Sequence, residues 1–369
     1  HPQTAFEETY AAEFIAAKLE EFGIETHRGL ATTGVVGTLH GTSPARGPLA
    51  AVGLRADIDA LDIAEENDFP WKSQHAGKMH ACGHDGHTTM LLAAARHLAE
   101  ARSFAGTVHF IFQPAEENEG GGRVMVEQGL FERFPVEAVF GLHNWPGMAV
   151  GEFALRAGPV MAAFDIFEIR VIGQGAHAAT PQLAIDPVVI GSQVVTALQS
   201  IASRNVDPLE QIVVSVTQIH AGATWNVIPG EAVLRGTVRT FRPEVQDLAE
   251  ASLSRIADGV CQAHGAQAQT RYERRYPATV NTESQTLWAA DAAADIAGES
   301  GVNRGPLPCM GSEDFAFMLR ERPGCYIWMG NGSSADGRIL HNARYDFNDA
   351  AIPVGASYWV RLVERLLPL

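Results

Sequence analysis

In the first part of the chain, short and nearly unbroken apolar runs alternate with amphipathic stretches of helical period. Segment 7–23, EETYAAEFIAAKLEEFG, has apolar residues at helical spacing and stops at Gly23. The runs GVVGTLHG, PLAAVGLRADID, TVHFIFQPAEE and AVFGLHNW follow, each with the length and apolar character of a buried strand. Between the second and third lies HTTMLLAAARHLAEA, a helix by the same spacing. Buried strands alternating with helices predict an α/β unit whose mixed sheet is flanked by helices.

Near residue 160 the period changes. FDIFEIRVIG alternates apolar and polar positions as a half-buried strand does, DPVVIGSQVVTALQSIA is helical, and EQIVVSVTQIHAG and EAVLRGTVRTF are strands. PEVQDLAEASLSRIADGVCQAHG is a second helix and AQAQTRYERR a last strand. The order βαββαβ predicts a ferredoxin-like satellite inserted at 160–275. The α/β unit is then discontinuous, built from 1–159 and 276–369, with SQTLWAADAAADIAG, GCYIWMG and AIPVGASYWVRLVERLL completing it.

Charge narrows the range of partners. Among 369 residues, 43 are Asp or Glu and 27 are Lys or Arg, for a formal net charge of −16. Such a surface repels phosphate backbones and anionic lipid, so nucleic acid is not expected as a partner. The apolar segments end well short of the ~18 residues a membrane helix needs, and no membrane association is expected. Cys82, Cys261, Cys309 and Cys325 show no framework spacing, which suits a reducing, cytoplasmic setting. The chain opens on His1 rather than Met and reads as trimmed at its N-terminus.

Chemistry gathers at the predicted strand ends, where open α/β sheets place their functional groups. RADIDA carries Arg55, Asp57 and Asp59; MHACGHDGH carries Cys82, His84 and His87; QPAEE carries Glu116 and Glu117; LHNW carries His143. Later, GSEDF adds Glu313 and Asp314, and LHNAR adds His341. Singly, each has an ordinary explanation: adjacent glutamates are most often a solvated loop, and a lone cysteine is most often a small buried hydrophobe. As a set, Cys82, His84, Glu117, His143 and His341 offer thiolate, imidazole and carboxylate, the donors for Zn²⁺ or Mn²⁺. Five donors exceed one tetrahedral ion and suit two ions sharing a bridge. Neighbouring glutamates point apart, so one of the pair can bind metal while the other handles a proton.

The ordered motifs RADIDAL, MHACGHDGH, FQPAEE, GLHNWP, GxGAHAATP, NVIPGEA, RGTVRTF, GSEDF and LHN span the chain. They resemble the amidohydrolase branch of the aminoacylase and carboxypeptidase metallohydrolase family, which includes hippurate hydrolases, N-acyl-amino-acid amidohydrolases and auxin-conjugate hydrolases. Gln3 stands where that branch usually has a glutamate. The resemblance implies hydrolysis of N-acyl amino acids to a carboxylic acid and a free amino acid, with two divalent ions per subunit: Mn or Zn, with Co or Ni also compatible. It implies Cys82 as bridging ligand, His84 and His143 on one ion, Glu117 and His341 on the other, and Glu116 as general base. Asp57 matches an aspartate that sits behind a ligand in related branches; those have a histidine where this chain has Arg55. In the satellite, His177 matches a histidine that donates to the acyl oxygen, often from the partner subunit, and Asn226 a substrate-contacting residue. Arg235 and Arg239 share one face of their strand, and Arg235 is a candidate for the substrate carboxylate. The resemblance also implies a homodimer, or a tetramer, assembled through the satellite.

Other readings remain open at this level. A dipeptidase or carboxypeptidase of the same family shares the ligand set. A cysteine hydrolase would use Cys82 as nucleophile, and a metal-binding protein without catalysis would keep the ligands and not need Glu116.

Overall fold

The N-terminal strands are β1 (Glu25–Leu30), β2 (Gly34–His40), β3 (Ala51–Asp57), β4 (Thr107–Gln113) and β5 (Ala138–Trp145). Every residue of β3 is buried, as are all of β5 but Trp145. Strands buried on both faces need apolar residues at consecutive positions, which is why AVGLRAD and AVFGLHNW read as runs rather than alternations. The computed structural model describes all residues except Arg46, Pro48 and Asn118.

The chain divides into two compact units. One comprises His1–Val160, Thr279–Leu307 and Glu313–Leu369; the other comprises Met161–Ala278 with Pro308–Ser312. The first contains an eight-stranded mixed sheet in the order β1, β2, β4, β3, β5, Gly324–Gly330, Phe153–Ala154, Val302–Asn303. β3 pairs in parallel with β4 and β5, and Gly324–Gly330 in parallel with β5, while β1 and β2 run antiparallel at one edge. β1, with the sequence ETHRGL, is a polar edge strand that has no apolar pattern to announce it. One face of the sheet (Leu54, Ala56, Phe110, Phe112, Phe140 and Leu142) forms the core with helices α1 (Thr9–Glu21), α2 (His84–Ala101), Glu283–Ala297 and Ile352–Leu366.

Alternate residues of the same strands point to the opposite face. Arg55 and Asp57 of β3 lie there in register with Gly141 of β5 and Gln113 of β4. The central strands therefore carry hydrocarbon on one side and, toward their C-terminal ends, a buried polar layer on the other.

The second unit is a four-stranded antiparallel sheet in the order Ile212–Ala221, Glu231–Thr240, Ala163–Ile172, Gln267–Tyr276. With helices Pro187–Leu198 and Pro243–Ala263 it makes the ferredoxin-like βαββαβ arrangement. Phe167, Ile169, Val171, Leu234 and Val238 face Val194, Leu198, Ala249 and Leu253 in its core. The first helix starts where its chemistry dictates: the Asp186 carboxylate accepts the Val188 amide at 2.9 Å, and Pro187 occupies the first turn. Among the described residues, no helix is long and apolar enough to cross a membrane.

Gly141 shows how tightly the polar layer packs on β5. A Cβ there would lie 2.6 Å from the Tyr326 ring, whose hydroxyl donates to the buried Glu313 carboxylate. Gly141→Ala is expected to destabilise the chain by about 1–3 kcal/mol through overpacking, read as a lower urea midpoint with an unchanged slope.

Candidate metal centre

The polar layer is organised by Arg55, which is fully buried. Its guanidinium donates to Gln113 Oε1 at 2.9 Å, Asp57 Oδ2 at 2.8 Å, Glu313 Oε1 at 2.9 Å and Asp314 Oδ1 at 3.1 Å. Gln113 and the Gly122 amide also donate to Asp314, and the Phe315 amide to Glu313. Burial opposes the charge on Arg55, yet Glu313 and Asp57, with further help from Tyr326 and Asp314, keep it firmly protonated.

Asp57 passes this order to the histidines. Its Oδ1 accepts from His87 Nδ1 at 2.6 Å, while His87 Nε2 accepts the Asn144 backbone amide at 2.9 Å. Both ring nitrogens of His87 are thus engaged by protein, so although it sits in a ligand-like group with Asp57 and His84, it is a support rather than a ligand. Asn144 then donates its side-chain amide to the Cys82 carbonyl at 2.6 Å and accepts from the Tyr345 hydroxyl at 2.8 Å. Between Cys82 and α2, Gly83 has φ of 90°, and a Cβ there would run into Asn144 and Tyr345. The turn in MHACGHDGH therefore needs a glycine both for its left-handed backbone and for space.

Above this layer the candidate donors converge. His84 Nδ1 lies 3.0 Å from the Asp59 carbonyl and 3.2 Å from Asp59 Oδ1, which leaves Nε2 aimed into the cluster, 3.8 Å from Glu117 Oε1. Asp59 Oδ2 accepts the Glu117 amide at 3.0 Å, so one aspartate orients both. His143 Nδ1 donates to the Asn144 carbonyl at 2.6 Å and turns Nε2 toward Cys82 Sγ, 3.4 Å away. His341, on an exposed loop, has φ of 60° and its amide bound to the Ala81 carbonyl; its Nε2 is 3.2 Å from Glu117 Oε2. Two triads result, Cys82–His84–His143 and Cys82–Glu117–His341, each with donor atoms within 4.8 Å of one another. They share the Cys82 sulfur.

These residues fit divalent cations. His84 Nε2 and Glu117 Oε1 are buried and have no hydrogen-bond partner among the described residues, an arrangement that costs free energy unless something else satisfies them. Electrostatics point the same way. Burial works against a charged His84, but Asp57, with Asp59 and Glu117, outweighs it and lifts the ring to about 10. Burial, followed by Glu117 and Glu116, pushes the Cys82 thiol well up. Burial, followed by Glu313 and Glu117, raises the Glu116 carboxyl. Burial and then His87 hold His143 well down, a neutral imidazole with a lone pair to give. The donors meet in a strongly anionic field, and imidazole, carboxylate and thiolate together suit a transition-metal dication.

Glu116 is buried beside Glu313 and Asp314, and its Oε1 lies 3.4 Å from the Asp314 amide. Asp57 has both oxygens engaged, by Arg55 and His87, which suits a place behind the ligands. The remaining sequence candidates lie in the second unit. His177 pairs with Val227 in a two-stranded ribbon, and the Ala178 amide donates to the Asn226 carbonyl, so His177 and Asn226 are neighbours. His177 Nδ1 accepts the Ala179 amide at 3.0 Å, which leaves the proton on Nε2. Arg235 lies on the solvent face of its strand, where Nε binds Glu168 at 2.7 Å. Arg239, on the same face, stacks on Phe164 and donates to Ser312 Oγ at 2.9 Å. Sequence reasoning assigned no role to Asp59, Asn144, Tyr326 or Glu8. The alternation in RADID, with every second residue polar at a buried strand end, is the one signal that points to Asp59.

Known proteins resemble this chain along most of its length. The chain is 39% identical over 368 residues to the hippurate hydrolase of Campylobacter jejuni subsp. jejuni, covering 100% of this chain and 94% of that protein. It is 44% identical over 284 residues to the N-acyl-L-amino acid amidohydrolase of Geobacillus stearothermophilus, covering 76% of this chain and 75% of that protein. Among solved structures, a Bacillus subtilis protein described as a dinuclear metal-binding peptidase of the M20 family superposes with a TM-score of 0.85 at 34% identity, covering 100% of this chain and 94% of that one. With residues 53–365 matching its family description, the chain belongs to Peptidase family M20/M25/M40.

Proposed function

We propose that this enzyme hydrolyses the amide bond of N-acyl amino acids, of the hippurate or N-acetyl type, releasing a carboxylic acid and a free amino acid. The observation that carries the reading is the pair of donor triads joined at Cys82 Sγ. His84 and His143 would hold one ion and Glu117 and His341 the other, with the Cys82 thiolate within reach of both sets. Two divalent ions, when bound, polarise the scissile carbonyl and make the attacking water acidic. Zn²⁺ or Mn²⁺ suits the mixed donor set best, and Co²⁺ or Ni²⁺ is compatible with it.

The chain's own groups carry the protons. Glu116 accepts a proton from the attacking water and delivers it to the leaving amide nitrogen. Its raised affinity for protons, imposed by burial and by Glu313, suits that shuttle. His177, supplied by a second copy of the chain, is the proposed donor to the acyl oxygen as negative charge develops; its Nδ1 accepts the Ala179 amide, so Nε2 carries the proton. Asp59 fixes His84 through Nδ1, the Asn144 carbonyl fixes His143 through Nδ1, and Asp57 acts one step further back through His87.

The partner we propose is a second copy of the chain. Strand Ile212–Ala221 forms an edge of the satellite sheet, Ile219 on it is 58% exposed, and Val188 and Val189 are exposed on the neighbouring helix. An unprotected apolar edge of this length invites strand pairing.

Amino-acid release from benzoylglycine and N-acetyl amino acids should stop on chelation and return on adding Mn²⁺ or Zn²⁺. Glu116→Gln should lower kcat by about 10²–10⁴-fold while retaining the parent's metal content. Chelator-resistant turnover would revive Cys82 as nucleophile, and release only from dipeptides would favour the peptidase branch. Sedimentation velocity tests the assembly: the parent chain should run as a dimer and Ile219→Glu as a monomer, whereas a monomeric parent would contradict it.

A further inference from the structure

We propose that Glu8 is a positioning residue for the metal centre, holding the Glu116–Glu117 turn in place through the backbone amide of Ala115. The proposal rests on reading that turn as base and ligand.

Glu8 stands at the N-cap position of α1, where a short polar side chain would normally accept an amide of its own helix. Its side chain makes no such cap. It is completely buried and turns away from α1 toward β4. Oε1 accepts the Ala115 amide at 3.0 Å and the Phe6 amide at 3.1 Å, and Oε2 accepts the Thr33 hydroxyl at 2.6 Å. A buried carboxylate with its oxygens occupied in this way joins three separate loops.

Those loops share an uncommon backbone. Phe6, Ala31, Thr32 and Ala115 all have positive φ, between 47° and 71°. None is glycine or asparagine, so each left-handed residue needs its surroundings to hold it there. Ala115 matters most, because it directly precedes Glu116 and Glu117. If the peptide before Ala115 relaxed toward an ordinary conformation, both carboxylates would be re-aimed. The Ala115 amide goes to Glu8, and its carbonyl accepts from the Gly121 amide at 3.0 Å, so the turn is gripped from both ends.

The same N-terminal segment steadies the other loop behind the centre. The Gln3 carbonyl accepts the Ala60 amide at 2.9 Å, next to Asp59, which orients His84 and Glu117. Gln3 in turn is fixed to α1, its Oε1 accepting the Tyr10 amide at 2.7 Å. Residues Gln3–Glu8 therefore brace both loops that carry the centre's carboxylates, and the Glu8 side chain reaches the backbone amide directly before the base.

Cobalt(II) titration of the full chain, followed through the thiolate charge-transfer and d–d absorption bands, tests this without relying on turnover. Glu8→Ala should weaken cobalt binding by about 10- to 100-fold, the usual effect of removing a residue that orients ligands, and should change the d–d envelope. Glu8→Asp keeps the charge but shortens the reach to Ala115, and should move both readouts the same way. Glu8→Gln keeps an oxygen for the Ala115 and Phe6 amides and should stay within a few-fold of the parent. Leu362→Ala, a cavity in the first unit's core, should lower the unfolding midpoint and leave both readouts alone. Parent-like spectra and affinity in folded Glu8→Ala or Glu8→Asp would overturn the role of Glu8 alone. A parent chain that takes up no cobalt would overturn the metal reading itself, and this proposal with it.

Discussion

One fully buried guanidinium holds the active region together. Arg55 sits on β3 with no access to solvent and is satisfied only because Asp57, Gln113, Glu313 and Asp314 surround it. Breaking a buried pair of this kind typically costs about 3–5 kcal/mol, because the partner left behind stays charged and dry. The energetic stake is matched by a geometric one. Asp57 positions His87, His87 positions Asn144, and Asn144 ties the Cys82 turn to the strand that carries His143. On the other side, Glu313 and Asp314 lie against Glu116. Arg55 thus links the residues around Cys82 and His143 to those around Glu116.

A second constraint is charge. The centre gathers buried carboxylates and a buried thiol beside a guanidinium already committed to Asp57, Glu313 and Asp314. Left to themselves these groups take up protons: His84 rises to about 10, and Cys82 and Glu116 rise as well. Divalent cations relieve the same imbalance by replacing those protons, which is why metal binding to such a site releases protons and weakens as pH falls.

Much of this was legible in the sequence. The buried strands announced themselves because central parallel strands are apolar at consecutive positions. The satellite did so because its strands alternate and DPVV marks a helix start. The ligand candidates stood out because thiol, imidazole and carboxylate recur at strand ends, and the structure gathers Cys82, His84, Glu116, Glu117, His143 and His341 in one place. What stayed hidden has a common physical cause. β1 is a polar edge strand, Pro308–Ser312 rejoins the second unit through a short loop, and Glu8 looks like any glutamate at a helix start. None of these carries a local period, since each is defined by a contact with a distant segment: Glu8 with Ala115, Asn144 with Cys82, Tyr326 with Glu313. Hydrophobic patterning reports burial of surfaces; it is silent about which polar atoms meet inside.

In the proposed centre, Cys82 is the donor common to two metal ions. Metal analysis of the parent chain and of Cys82→Ser after exhaustive dialysis addresses it directly. Two divalent ions per chain are expected in the parent, with the loss of at least one in Cys82→Ser, because both triads lose their common donor. Two ions retained in Cys82→Ser, or a single ion in the parent, would contradict it.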